Sequence, residues 1–119
     1  VNWTHLSANS NAIKLLEKNP NKIDWSSLSR NPNAIKLLSN NYDKINWDCL
    51  SLNPNAIKLL EENLDKNWAS LSLNPNAIHL LKQNPKKIDW YFLSKNPNAI
   101  HLLEKNQNKI DWIQLSEKS

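Results

Sequence analysis

At 119 residues with a formal charge of +4, the chain is long enough for one domain and too mildly basic to single out nucleic acid or a membrane as its partner. A lone cysteine, Cys49, excludes an internal disulfide, and the absence of Gly excludes a glycine-rich phosphate loop. No apolar run approaches the roughly 18 residues of a membrane span, and no segment resembles a secretory leader, so an intracellular location is expected.

The tryptophans set the period. They stand at positions 3, 25, 47, 68, 90 and 112, spaced by 22 residues except for one gap of 21. Units therefore run over residues 3–24, 25–46, 47–67, 68–89 and 90–111, with a partial unit at 112–119. The whole chain, 1–119, reads as a single repeat array, and its stop inside a unit suggests a piece of a longer one. Apolar residues follow helical spacing and never alternate over a useful length, so strands are not expected. The fold class is all-α: an α-solenoid of five-plus 22-residue repeats, each one α-helix plus one short α or 3-10 helix.

The first unit opens with Trp3 and departs from the others by carrying Ser10 where they have Pro. The second unit shows the pattern in full. Asp24 stands just before Trp25 as an N-cap type, and Trp25, Leu28 and Ser29 share one face at i, i+3, i+4. Asn46, Asn67, Asp89 and Asp111 occupy the same cap position. Then comes Asn31-Pro32, read as the N-cap and first residue of a longer helix running about nine residues to Asn41. Ala34, Ile35, Leu37 and Leu38 form its broad apolar arc, with Lys36 pointing away. Asn19, Asn41, Asn63, Asn84 and Asn106 are expected to end these helices in the left-handed conformation usually given to Gly. A turn such as 19–23 follows, its Ile tucked into the core. In the third unit the Ile of that turn is missing, and Leu64 is expected to fill the space. Trp3, Trp25, Trp47, Trp68, Trp90 and Trp112 are assigned a structural role as a ladder along the array.

The run Asn96-Pro97-Asn98-Ala99-Ile100-His101-Leu102-Leu103-Glu104-Lys105-Asn106, followed by Lys109-Ile110-Asp111-Trp112, resembles short Trp-containing repeats found in proteins of large DNA viruses, such as those infecting amoebae. The resemblance covers essentially the whole chain. It implies a viral origin, with a place in the host cytoplasm or the virion, and a helical-repeat architecture; it carries over no functional residue. The plan of one helix plus one very short helix also resembles leucine-rich-variant repeats, as architecture alone.

Chemistry-bearing residues are sparse. His79 and His101 fall at the same place in adjacent units, where Lys14, Lys36 and Lys58 stand elsewhere. Adjacent helices pack about 8–10 Å apart, too far for a shared zinc ligated at about 2 Å. Cys49 has no histidine at a matching layer to serve as base. The acids at 24, 89 and 111 are explained as caps. The sequence thus predicts no enzyme, no cofactor and no metal.

Function is expected on the positions that vary between units. Directly after each Trp come Thr4-His5, Ser26-Ser27, Asp48-Cys49, Ala69-Ser70, Tyr91-Phe92 and Ile113-Gln114. After the Leu-Ser pair come Ala8, Arg30, Leu52, Leu73, Lys95 and Glu117. On the wheel these places cluster opposite Trp and Leu, as one outward strip. Arg30, Leu52, Leu73, Tyr91, Phe92, Lys95 and Ile113 are the candidate partner-binding residues of a protein-interaction or scaffold module, whose apolar members could form a contiguous patch. An alternative is a nucleic-acid backbone tracked by the ladder Lys22, Lys44, Lys66, Lys87 and Lys109, seconded by Lys14, Lys36, Lys58, His79 and His101. A further alternative is self-assembly by end-to-end stacking, because neither terminal unit carries a polar capping face.

Overall fold

The computed structural model describes residues 1–63 and 67–109. Over these it is all-helical, with two short helices per unit. The Trp-led helices are α1 (Trp3–Ala8), α3 (Trp25–Ser29), α5 (Trp47–Leu50), α7 (Trp68–Leu73) and α9 (Trp90–Leu93). Alternating with them are α2 (Ile13–Lys18), α4 (Ile35–Ser39), α6 (Ile57–Glu61), α8 (Ile78–Gln83) and α10 (Ile100–Glu104). One-turn 3-10 segments at Pro20–Lys22, Tyr42–Lys44, Pro85–Lys87 and Gln107–Lys109 link the second helix of one unit to the next Trp. Helices of four to six residues cannot stand alone in water, and they hold because α1 packs on α3, α3 on α5 and α7 on α9 in successive layers. The result is elongated, 50 Å by 29 Å by 16 Å.

The caps before Trp form as the sequence predicts. The side chains of Asn2, Asp24, Asn46, Asn67 and Asp89 each accept the backbone N–H three residues on. Asp111 lies outside the described residues, as do Leu64 and the expectation attached to it. Ile23, Ile45 and Ile88 tuck into the core at the ends of their turns.

Two expectations need correction. The second helix does not begin at Asn-Pro and does not run nine residues. It begins at Ile13, Ile35, Ile57, Ile78 or Ile100, spans five or six residues, and its N-cap is an Ala with no side-chain bond. Asn31 instead makes a local turn, its Oδ1 accepting the Asn33 N–H at 3.0 Å. Its amide is committed elsewhere: Nδ2 donates to the carbonyls of Ser7 (3.0 Å) and Asn9 (3.1 Å) in the preceding unit. Asn53, Asn74 and Asn96 repeat both sets of bonds. The second correction concerns the helix ends. No described residue has positive φ, and Asn41 sits at φ −135°. The terminal Asn works through its side chain, Asn41 Nδ2 donating to the Leu37 carbonyl at 2.9 Å, with Asn19, Asn63, Asn84 and Asn106 doing the same. A left-handed residue is unnecessary where an amide reaches back to the orphan carbonyl.

The core is a row of leucines and alanines. Leu16, Leu28, Leu38, Leu50, Ala56, Ala77, Leu81, Leu93 and Ala99 are fully buried. The described tryptophans are half-buried and pack against this row from its margin, Trp68 bridging its two halves. Beside it runs a polar row. Ser7 Oγ donates to the Trp3 carbonyl at 2.7 Å and accepts the Asp24 N–H at 2.9 Å, so a buried hydroxyl closes one helix and anchors the next cap. Ser29 and Ser72 act likewise toward Asn46 and Asp89.

Candidate functional site

The outward strip is positioned by the caps. A side chain one residue after Trp stands over the short helix's first turn, beside the cap residue of the next unit. In three layers the two are paired. Thr4 Oγ1 donates to Asp24 Oδ2 at 3.0 Å, Asn46 Nδ2 donates to Ser26 Oγ at 3.0 Å, and Asn67 Nδ2 donates to Asp48 Oδ1 at 2.9 Å. A carboxylate cap meets a donor, and an amide cap meets an acceptor. The Ser27 backbone N–H, then the Thr4 hydroxyl, hold the Asp24 carboxyl below its ordinary value of 3.8. The first variable place is therefore partly a structural joint between layers, a role that reading each unit alone does not reveal.

Ala69 has no polar side chain to pair with Asp89, and Tyr91 follows a different pattern. Its ring stands edge-on to Phe92, centroids 5.3 Å apart. Lys95 lies over the Tyr91 ring, Nζ 4.6 Å from the centroid and 3.2 Å from the hydroxyl. Tyr91 remains 43% exposed. Phe92, Leu73 and Leu52 are half-buried, while Arg30 and Lys95 are exposed. The structure thus brings Tyr91 and Phe92 of α9 together with Lys95, which follows that helix. Arg30 sits three units away, where a cleft of about 110 Å³ is lined by Ser26, Ser27, Arg30 and Cys49. Ile113 lies outside the described residues.

The lysine ladder occupies another part of the surface. Lys22, Lys44, Lys87 and Lys109 close the 3-10 turns, and all are exposed. Lys44 Nζ stands 5.8 Å from the Trp25 ring centre and Lys109 Nζ 5.9 Å from that of Trp90, each over the tryptophan that opens its own unit. Lys66 lies outside the described residues. In the second ladder His79 Nε2 is 3.1 Å from Glu61 Oε1 of the unit before, while Lys14, Lys36, Lys58 and His101 are exposed. Among the described residues no three His, Cys, Asp or Glu side chains converge as metal ligands.

The buried Asn row is the feature that sequence reasoning assigned to the wrong task. The available signal was an Asn that never varies between units at 31, 53, 74 and 96, a polar constant beside a leucine pattern. No family model matches the chain, and neither does any curated protein or solved structure.

Proposed function

We propose that the array is a non-enzymatic repeat module for protein–protein interaction or scaffolding, acting through the outward strip of its short helices. The observation that carries this reading is the exposed Tyr91–Phe92–Lys95 cluster. At the same place units one to three carry a polar residue joined to the next cap, which serves the fold. In the fifth unit that place holds Tyr91, edge-on to Phe92 and 43% exposed, with the Lys95 cation over its ring. Tyr, Phe and a cation at an accessible site are suited to a protein contact.

The nucleic-acid reading has less support. Two ladder lysines are seated over tryptophans and one ladder histidine faces a glutamate, so part of that positive charge is engaged within the array. No described helix is long and apolar enough to cross a membrane.

The test is affinity capture from expressing cells with the parent chain and with a Tyr91→Ala/Phe92→Ala variant of equal melting temperature. A protein retained by the first and lost by the second is the expected result. Equal capture by both refutes the strip as the contact surface. Retention of mixed RNA or DNA with a steep salt dependence supports the lysine ladder instead.

A further inference from the structure

Among the described residues of the strip, Arg30 stands out as a permanent cation whose donors have no acceptor. Arg30 is the only arginine in the chain. It follows α3, is exposed, and shares its cleft of about 110 Å³ with Ser26, Ser27 and, from the next layer, Cys49. The Ser26 oxygen already accepts the Asn46 amide, so its proton remains to be given. The Arg30 guanidinium has no acidic or carbonyl partner among the described residues. Ser27 lines the cleft and gives its backbone N–H to Asp24 Oδ1 at 3.2 Å. Among the described residues no acidic side chain lines the cleft. The carboxylates beside it in sequence are committed, Asp24 to the Ser27 N–H and the Thr4 hydroxyl, and Asp48 to the Asn67 amide.

We infer that the Arg30 cleft is an oxyanion subsite that takes the carboxylate of an Asp or Glu side chain on a protein partner. This deepens the interaction reading above and rests on it. A guanidinium pairs its parallel N–H groups with the two oxygens of a carboxylate, and the Ser26 hydroxyl supplies a further donor. The Cys49 thiol offers a weakly polar wall to the methylene of the incoming acid. A phosphoryl dianion fits less well, because Asp24 and Asp48 stand close by and repel a second negative charge more than a first.

Cys49 provides the readout, being the only cysteine and part of the cleft wall. The full chain is alkylated with neutral iodoacetamide in the presence of an acetylated, amidated hexaglutamate peptide. The expected result is a concentration-dependent slowing of about threefold when the peptide stands at twice its Kd, since one third of the clefts are then empty. Arg30→Gln is expected to abolish protection, each protein's rate with peptide being read against its own peptide-free rate, while the far-ultraviolet dichroism stays unchanged. The hexaglutamine peptide is expected to protect neither protein. Absence of protection at any peptide concentration overturns the inference, as does protection that survives in Arg30→Gln. Equal protection by inorganic phosphate at the same concentration overturns the carboxylate assignment. These outcomes are separate from capture through Tyr91 and Phe92, so the subsite can fail while the strip stands.

Discussion

A buried asparagine is an expensive residue unless every polar atom is used. Asn53 is fully buried, and its Nδ2 serves the Ser29 and Asn31 carbonyls, both at 3.0 Å, while its Oδ1 accepts the Asn55 N–H. Asn53→Ala leaves two carbonyls of the preceding unit without that donor in a place closed to water. The expected loss is about 3 kcal/mol in urea unfolding, from two hydrogen bonds and the desolvation of their acceptors. Asn55 sits two residues away, exposed, with one bond to the Pro32 carbonyl at 2.9 Å. Its alanine variant is expected to lose about 0.5 kcal/mol, since water replaces that bond. Similar losses for the two would refute the ladder as the chief polar tie between layers. Asp24 supports a pH prediction at the same scale. Its carboxyl is held below 3.8, so the charge stabilises the fold above that value, and the contribution is lost as pH falls through the lower native value. Asp24→Asn keeps an acceptor for the Ser27 N–H and removes the charge. The melting-temperature advantage of the parent chain over this variant is expected near pH 7 and to vanish near pH 2. An advantage that stays constant across that range would show that charge is not what Asp24 contributes.

The Trp-led helices were legible because their signal is local. An Asp or Asn before Trp caps the N–H three residues on, and everything needed lies within four residues. The second helix was misread because Asn-Pro is ambiguous. An N-cap and a one-residue turn both use the Asn oxygen to accept a nearby N–H, and what separates them here is the pair of carbonyls one layer back, 22 and 24 residues away in sequence. The interlayer pairs of the strip were hidden for the same reason, since Thr4 meets Asp24 only after the layers stack. Their chemistry gives a test. Asn67 donates to the Asp48 carboxylate, so Asn67→Asp sets two carboxylates against each other. This is expected to cost about 0.5 kcal/mol at low salt, and less as salt screens the pair. Asp48→Ser in the same chain restores a donor and is expected to recover the loss. At Asn46 the same change is nearly neutral, because the Ser26 hydroxyl can turn to donate. If Asn46→Asp and Asn67→Asp lose equal stability, with no recovery by Asp48→Ser, the pairing rule is wrong.

An array held this way has no single centre. Stability is nearly a sum over interfaces between neighbouring units, each with one buried Asn, one Ser hydroxyl and a Leu and Ala layer. The period of the tryptophans was enough to predict that architecture, whereas their half-burial was not predictable from periodicity, since indole at the margin and indole at the centre give the same spacing. The consequence is positional. Trp47 lies between layers on both sides and packs against the continuous apolar row, with Tyr42 edge-on at 5.3 Å. In the 119-residue chain as tested, Trp3 opens the first unit, whose α1 packs on α3. Trp47→Ala is expected to cost about 2 kcal/mol and Trp3→Ala about 1 kcal/mol, the truncation of a half-buried aromatic being weighted by how many interfaces it weakens. Hydrogen exchange gives the sharper reading, because local opening reports which layers share the loss. The central variant is expected to raise exchange in α3, α4, α5 and α6 together, and the terminal one to raise it in α1 and α2 while α6 and α8 keep their protection. A uniform rise along the whole array in both variants would mean that the chain opens as one cooperative body, and the sum over interfaces would have to be replaced by a single global equilibrium.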